Sequence, residues 1–331
     1  MTTYYQIKGQ KVPDLTSDPS VITEGQVWYN NTSDKLKFFK SFNNVWATAA
    51  SKATTRSSLA GAGTQTAALG FGSSPTPPNV LTNNSEEYDG FTWTAGGNMV
   101  TGRSRFAGCG VQTLALGFGG FVPPATYSTA TEEYNGTSWT TGGSMATGRR
   151  ALAGLGVESA ALAIGGFQNG PALNNVEEYN GSTWTAGGAY PASPGVNDLA
   201  ACGTESAGLA FGGDITLQPI SAVTSEYNGS TWTAGGNLTN AKSRLGGCGT
   251  QTAALGFGGY NPSVPGSSTS TEKYDGASWT TTGSLNSPLN SFSPGAAGAG
   301  TQSAGLAFRS NTTTEEFIGS NTTLAVEVIV T

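Results

Sequence analysis

The sequence predicts an all-β protein, a β-propeller built from six four-stranded blades. Three observations carry this expectation. Six of the seven tryptophans fall at 46, 93, 139, 184, 232 and 279, a period of 45–48 residues that marks a repeat architecture. No 3.6-residue apolar periodicity is sustained, whereas short apolar runs bounded by Gly, Asn, Ser and Thr recur. Asn-Gly or Asp-Gly precedes five of these tryptophans, at 89–90, 135–136, 180–181, 228–229 and 275–276. Four antiparallel strands repeated at such a period make a propeller blade.

Each period offers four strands, here called a to d. Strand a is small and glycine-rich: Ala60–Gly63, Ala107–Gly110, Ala153–Gly156, Ala201–Gly203, Gly247–Gly249 and Gly298–Gly300. Strand b follows as Ala68–Gly72, Ala115–Gly120, Leu162–Gly166, Leu209–Gly213, Ala254–Gly259 and Leu306–Arg309. Strand c carries Ser85-Glu86-Glu87-Tyr88 and its counterparts Thr131–Tyr134, Val176–Tyr179, Ser225–Tyr227, Thr271–Tyr274 and Thr314–Phe317. Strand d begins at the tryptophan. The Asn-Gly or Asp-Gly between c and d predicts a type I′ hairpin turn, whose positive φ these residues adopt cheaply.

This arrangement accounts for a composition that first resembles low complexity. The 331 residues include 49 glycines, with 37% hydrophobic and 11% charged residues. Aromatic content of 10% and a net charge of only −6 argue against disorder. Inner strands crowd toward an axis and take Gly and Ala, whereas outer strands need the bulk of Tyr and Trp. Truncating a buried Trp to Ala would cost roughly 3–5 kcal/mol.

Ring closure has two readings. The interval from Trp46 to Ala62 matches that from Trp93 to Cys109, so Trp46 would supply the outer strand of the last blade. Alternatively Thr322–Val330 is that strand, and Trp46 with residues 25–40 belongs to a seventh blade. We adopt six, with 1–45 as a separate attachment segment and 46–331 as the propeller.

The double glycine ending strand b, the Tyr on strand c and the Trp about five residues later resemble the kelch repeat over residues 46–317. Glu24–Thr32, Lys35–Phe39 and Asn44–Trp46 resemble the short N-terminal β-meander of bacteriophage tail-fibre proteins. Repeats reading Thr-Glu-Glu-Tyr-Asn-Gly with Gly-Thr-Gln-Thr-Ala-Ala-Leu-Gly-Phe-Gly-Gly resemble those of marine phage virion proteins. The resemblance implies six kelch-like blades behind a β-meander. It further implies a non-enzymatic virion structural protein, tail- or fibre-associated, recognising a host surface or glycan. Residues 1–45 would attach to other virion proteins, and a homo-oligomer is compatible with this role. An intracellular kelch-type interaction module is the alternative.

Chemistry is narrowed by what is missing. With no histidine there is no Ser-His-Asp triad, no HExxH zinc site and no set of histidine ligands for the copper chemistry of some kelch propellers. No cofactor is expected. Residues 1–52 hold 6 basic and 4 acidic groups, and the rest 9 and 17, which disfavours nucleic acid as a partner. No run of about 18 apolar residues suggests membrane insertion. Met1–Val12 has no apolar signal-peptide core, so synthesis in the host cytoplasm and a place in the virion are expected.

Three residue sets are site candidates. The carboxylate pairs at 86/87, 132/133, 177/178 and 315/316 suggest acid–base work. Adjacent strand residues face opposite ways, however, and the motif recurs in every blade, which favours a structural role. Cys109, Cys202 and Cys248 share one strand-a position with Ala62, Leu155 and Ala299, as a small apolar slot would require. Arg56, Arg103, Arg149 and Lys242 lie six residues before that slot, near one mouth of the channel. The irregular b–c loops share this face and carry Tyr127, Phe167 and Tyr260. These seven residues form a candidate face for a glycan or anionic receptor. The competing reading pairs the four cations with neighbouring acids.

Overall fold

The computed structural model describes residues 4–7, 10–17, 27–32, 35–38, 41–42, 44–72, 81–192, 194–215, 220–261, 267–288, 297–308, 312–319 and 322–323. Among these there is no helix. The chain divides into two units, Val45–Phe317 and Met1–Asn44 with Ile318–Thr331.

The larger unit holds six four-stranded antiparallel sheets, an arrangement compatible with a propeller. The second sheet shows the pattern: Ala107–Val111, Leu114–Phe118, Thr131–Tyr134 and Trp139–Thr141 lie side by side as a to d. Cys109 faces Leu116, Leu116 faces Glu133, and Tyr134 faces Trp139. The other a strands are Ala60–Gly63, Ala153–Val157, Ala200–Thr204, Gly246–Thr250 and Ala297–Gly300. Each a strand packs beside the next, and the sixth packs beside the first. The d strand of the sixth sheet is Val45–Ala49, so Trp46 sits where the six-sheet reading put it. Thr322–Thr323 instead pairs with Ser41–Phe42 in the smaller unit, while Leu324–Val330 lies outside the described residues.

Apolar side chains fill the spaces between sheets rather than one central core. In five of the six seams the Phe ending strand b of one sheet reaches strand a of the next, and in the third-to-fourth seam Ile164 ends strand b instead. Phe71 and Gly108 show why glycine is needed there, since a Cβ on Gly108 would stand 2.6 Å from the Phe71 ring. The three cysteines are buried and free. Burial pushes the Cys248 thiol up to about 12 and raises those of Cys109 and Cys202 as well. They fit an apolar slot and not a nucleophile.

The c–d hairpin differs from the expected type I′ turn. Tyr88 pairs with Trp93, leaving a four-residue loop in which Gly90 has φ +92° and Asp89 has no positive φ. Asp89 contributes through its side chain instead. Its Oδ1 accepts the N–H groups of Phe91 and Thr92 at 2.8 and 2.6 Å, an Asx turn. These bonds hold the Asp89 carboxyl below the usual carboxylate range.

In the smaller unit, Tyr4–Ile7, Gln10–Leu15, Val27–Asn30 and Lys35–Phe38 form one sheet in sequence order. Val27–Asn30 and Lys35–Phe38, from the first two strands of the expected meander, pair antiparallel with Val27 opposite Phe38, whereas its third strand at Trp46 belongs to the sixth sheet. Gln10–Leu15 and Val27–Asn30 run parallel, with Asp14 opposite Tyr29, and a parallel pair needs a crossover instead of a tight turn.

Candidate ligand-binding face

Alternating strand direction sends the d–a and b–c connections to one face of the six sheets. Single bridges tie them together there: Ser104 with Phe121, Arg150 with Phe167, Asn197 with Asp214 and Ser243 with Tyr260. The expected acid pairs flank this scaffold and divide their work. The first carboxylate turns inward and the second turns toward the next sheet.

The inward carboxylates meet the four predicted cations. Arg56 pairs with Glu86, Arg103 with Glu132 at 3.0 Å, Arg149 with Glu177, and Lys242 with Glu272 at 2.6 Å. All four basic side chains are buried, with 0% or 1% exposure. Burial lowers the pKa of each, and the neighbouring carboxylate opposes that shift. The carboxylates also hold the loop entering their own sheet, as where Glu132 accepts the Val100 N–H at 2.7 Å. Arg56, Arg103, Arg149 and Lys242 are therefore internal clamps and do not line the face. Pairing with neighbouring acids, the competing reading, describes them.

The outward carboxylates accept tyrosine hydroxyls from the following sheet. Tyr134 donates to Glu87 at 2.5 Å, Tyr274 to Glu226 at 2.6 Å and Tyr88 to Glu316 at 2.7 Å, and Tyr179 and Tyr227 bind Glu133 and Glu178 alike. Burial and then this bond push Tyr134, Tyr179, Tyr227 and Tyr274 up to about 12. Neither carboxylate of a pair is available as a solvent-facing acid or base.

Of the predicted aromatics, Tyr127 and Phe167 come together and Tyr260 stands apart on the fifth sheet. Tyr127 and Phe167 lie 6.3 Å apart, and Phe121 lies 5.7 Å from Tyr127. All three surround Arg150, whose guanidinium carbon sits 5.1, 5.6 and 5.2 Å from the rings of Phe121, Tyr127 and Phe167. Such stacking holds a cation without neutralising it.

The residues sequence reading missed lie two positions beyond the four buried cations and Val196, their counterpart in the fourth repeat: Ser58, Arg105, Ala151, Asp198 and Arg244. All five have positive φ, between 52° and 59°, although none is glycine. Their backbones chain around the bore. Arg105 N–H donates to Ser58 at 3.3 Å, Ala151 to Arg105 at 2.7 Å, Asp198 to Ala151 at 2.8 Å and Arg244 to Asp198 at 2.7 Å. The sixth equivalent, Gly295, lies outside the described residues. Left-handed backbone costs a non-glycine residue of order 1–3 kcal/mol, and such strain clusters at ligand sites. A sequence signal existed. This column is chemically mixed in an otherwise uniform repeat, as a specialised position would be.

These five residues line a cavity of about 120 Å³, together with Leu59, Phe106, Leu152, Leu199 and Leu245. Below it runs a bore of about 130 Å³ touched by all six a strands. Arg244 Nε approaches Asp198 Oδ2 at 3.4 Å, with the Arg244 side chain 27% exposed. Burial lowers the Arg105 pKa, Asp198 opposes, and Arg150 and Arg244 add to the lowering. Asp214 is raised by burial and by Asp198. Three guanidiniums thus face two carboxylates at the mouth, a local excess of positive charge on an acidic protein. No protein-family model and no curated protein matches the chain.

Proposed function

We propose that the chain is a kelch-like, six-bladed propeller serving as a non-enzymatic bacteriophage virion protein, tail- or fibre-associated, that binds an anionic host-surface glycan. The virion assignment rests on the resemblance of the repeats and of residues 24–46. The binding role rests on one observation, the mouth cavity where Arg105 and Arg244 flank Asp198 beneath strained backbone. Arg150 and its three rings form the rim. A carboxylated or sulfated sugar satisfies both parts, because guanidiniums pair with its acid and aromatic faces stack on its ring. Asp198 would accept sugar hydroxyls.

Titration calorimetry against acidic and neutral oligosaccharides tests the site. Arg105→Ala and Arg244→Ala are each expected to weaken an acidic glycan roughly ten- to hundredfold, the equivalent of about 1.5–3 kcal/mol for a lost charged hydrogen bond. Arg103→Met would leave affinity unchanged in whatever fraction folds. Binding unaffected by both mouth substitutions would overturn the site. Mass spectrometry of purified particles tests the virion role, which absence of the chain would sink.

A further inference from the structure

The seam between the third and fourth sheets holds a cavity of about 250 Å³, roughly twice the mouth cavity. Its origin is a coordinated set of replacements. Where Met145, Arg149 and Glu177 stand in the third repeat, the fourth has Tyr190, Val196 and Ser225. The buried ion pair is gone, and Tyr190 and Ser225 line the space in its place. Two long side chains have become short, and the space they would fill is open. Trp232, half-buried, forms one wall and meets Tyr190 edge to face at 5.1 Å. Pro191, Val196, Ile215 and Val223 complete the apolar lining.

We propose that this cavity is a binding site for a small, neutral aromatic molecule of one or two rings. Volume supports the size, because an apolar cavity of ~150 Å³ already admits benzene. The lining supports the neutrality. It contains no charged side chain, so a buried ionic ligand would go unpaired. The Tyr190 and Trp232 rings offer edge and face contacts, and the Ser221 hydroxyl can take one N–H or O–H. Exposed Thr233 and Ala234 mark the way in. This site is separate from the mouth and does not depend on glycan binding.

Saturation-transfer NMR with indole, phenol and benzoate on the full chain tests it. Indole and phenol are expected to bind saturably, and benzoate at least tenfold more weakly. The triple variant Tyr190→Met, Val196→Arg, Ser225→Glu rebuilds the set seen in the third repeat and is expected to weaken indole at least tenfold. If that variant does not fold, Ala192→Trp blocks the cavity from its rim and decides the matter by the same loss. No saturable indole binding, equal binding of benzoate, or indole affinity retained in the blocked variant overturns the proposal.

Discussion

The first-to-second seam and the third-to-fourth seam solve the same packing problem with different residues. In the first, Phe71 abuts Gly108 and stacks on Trp139 at 4.7 Å, and Trp139 Nε1 donates to Ser85 at 3.0 Å. In the other, Ile164 stands for the Phe, Ala201 for the Gly and Val176 for the hydroxyl residue. Trp232 accordingly meets Tyr190 edge to face and donates to the Gly188 carbonyl at 2.8 Å. Each change on one side is met on the other. A smaller b-strand residue admits a Cβ opposite it, and a lost acceptor redirects the donor. The difference teaches that these seams are built from paired units, because a half-replaced pair strands a buried polar group or opens a void.

The fifth-to-sixth seam supports this reading independently. Lys273 replaces the usual outward Glu, and Phe317 replaces the usual Tyr. The hydrogen bond becomes a cation–π contact, with Lys273 Nζ 5.2 Å from the Phe317 ring.

Breaking one half of a pair should have the largest effect. Arg103→Ala leaves Glu132 buried without its cation, and the expected loss is about 3–5 kcal/mol in urea unfolding. Val196→Ala, at the same position of the irregular seam, removes only apolar area and should cost about 1–2 kcal/mol. Equal losses would break the comparison. The double variant Arg103→Val, Glu132→Ser should recover much of the single-mutant loss, because it imitates an arrangement the protein already uses.

The tyrosine–carboxylate bonds come next. Tyr179→Phe should cost about 1 kcal/mol near neutral pH, the net worth of one hydrogen bond. The pH dependence has a definite sign. A folded-state pKa of about 12 lies above the ordinary tyrosine value of 10. This contribution is therefore complete below about pH 10 and is lost as pH rises through 12. Urea midpoints measured from pH 9 to 12 should fall less steeply in Tyr179→Phe than in the wild type.

The repeat itself, its four strands, the closing role of Trp46 and the structural role of the acid pairs were legible because each is written several times. The period-2 rule alone separates Glu132 from Glu133. What escaped was relational. Val196 and Ser225 each look like a lapse in a column, and only the cavity they share makes them one substitution. Arg105, Asp198 and Arg244 escaped because their common property is backbone φ, which these residue types do not advertise. The turn type was misjudged because Asn and Asp serve equally as positive-φ residues and as side-chain acceptors, and here the second property is used.

The smallest expected effect concerns the a–b turns. Gln112 donates through Nε2 to the carbonyls of Ala68 and Tyr88 at 3.1 and 2.7 Å, tying its sheet to the one before. Gln65, Gln251 and Gln302 do the same in their own seams. The third and fourth sheets have Glu158 and Glu205 at this position. An ionised carboxylate has no proton to donate to a carbonyl oxygen. Burial raises both groups above the usual carboxylate range, and Glu133 and Glu178 add repulsion. A raised folded-state pKa means a contribution fully present below about pH 4.3, the ordinary value, and lost as pH rises through the folded one. Glu158→Gln and Glu205→Gln should therefore stabilise by about 1 kcal/mol each at pH 7, as a new hydrogen bond would. The gain should shrink toward pH 4, where the native carboxyls can donate too. Melting temperatures of both variants at pH 4 and 7 check this. A gain of equal size at both pH values would show that the glutamates are held by something other than the missing donor.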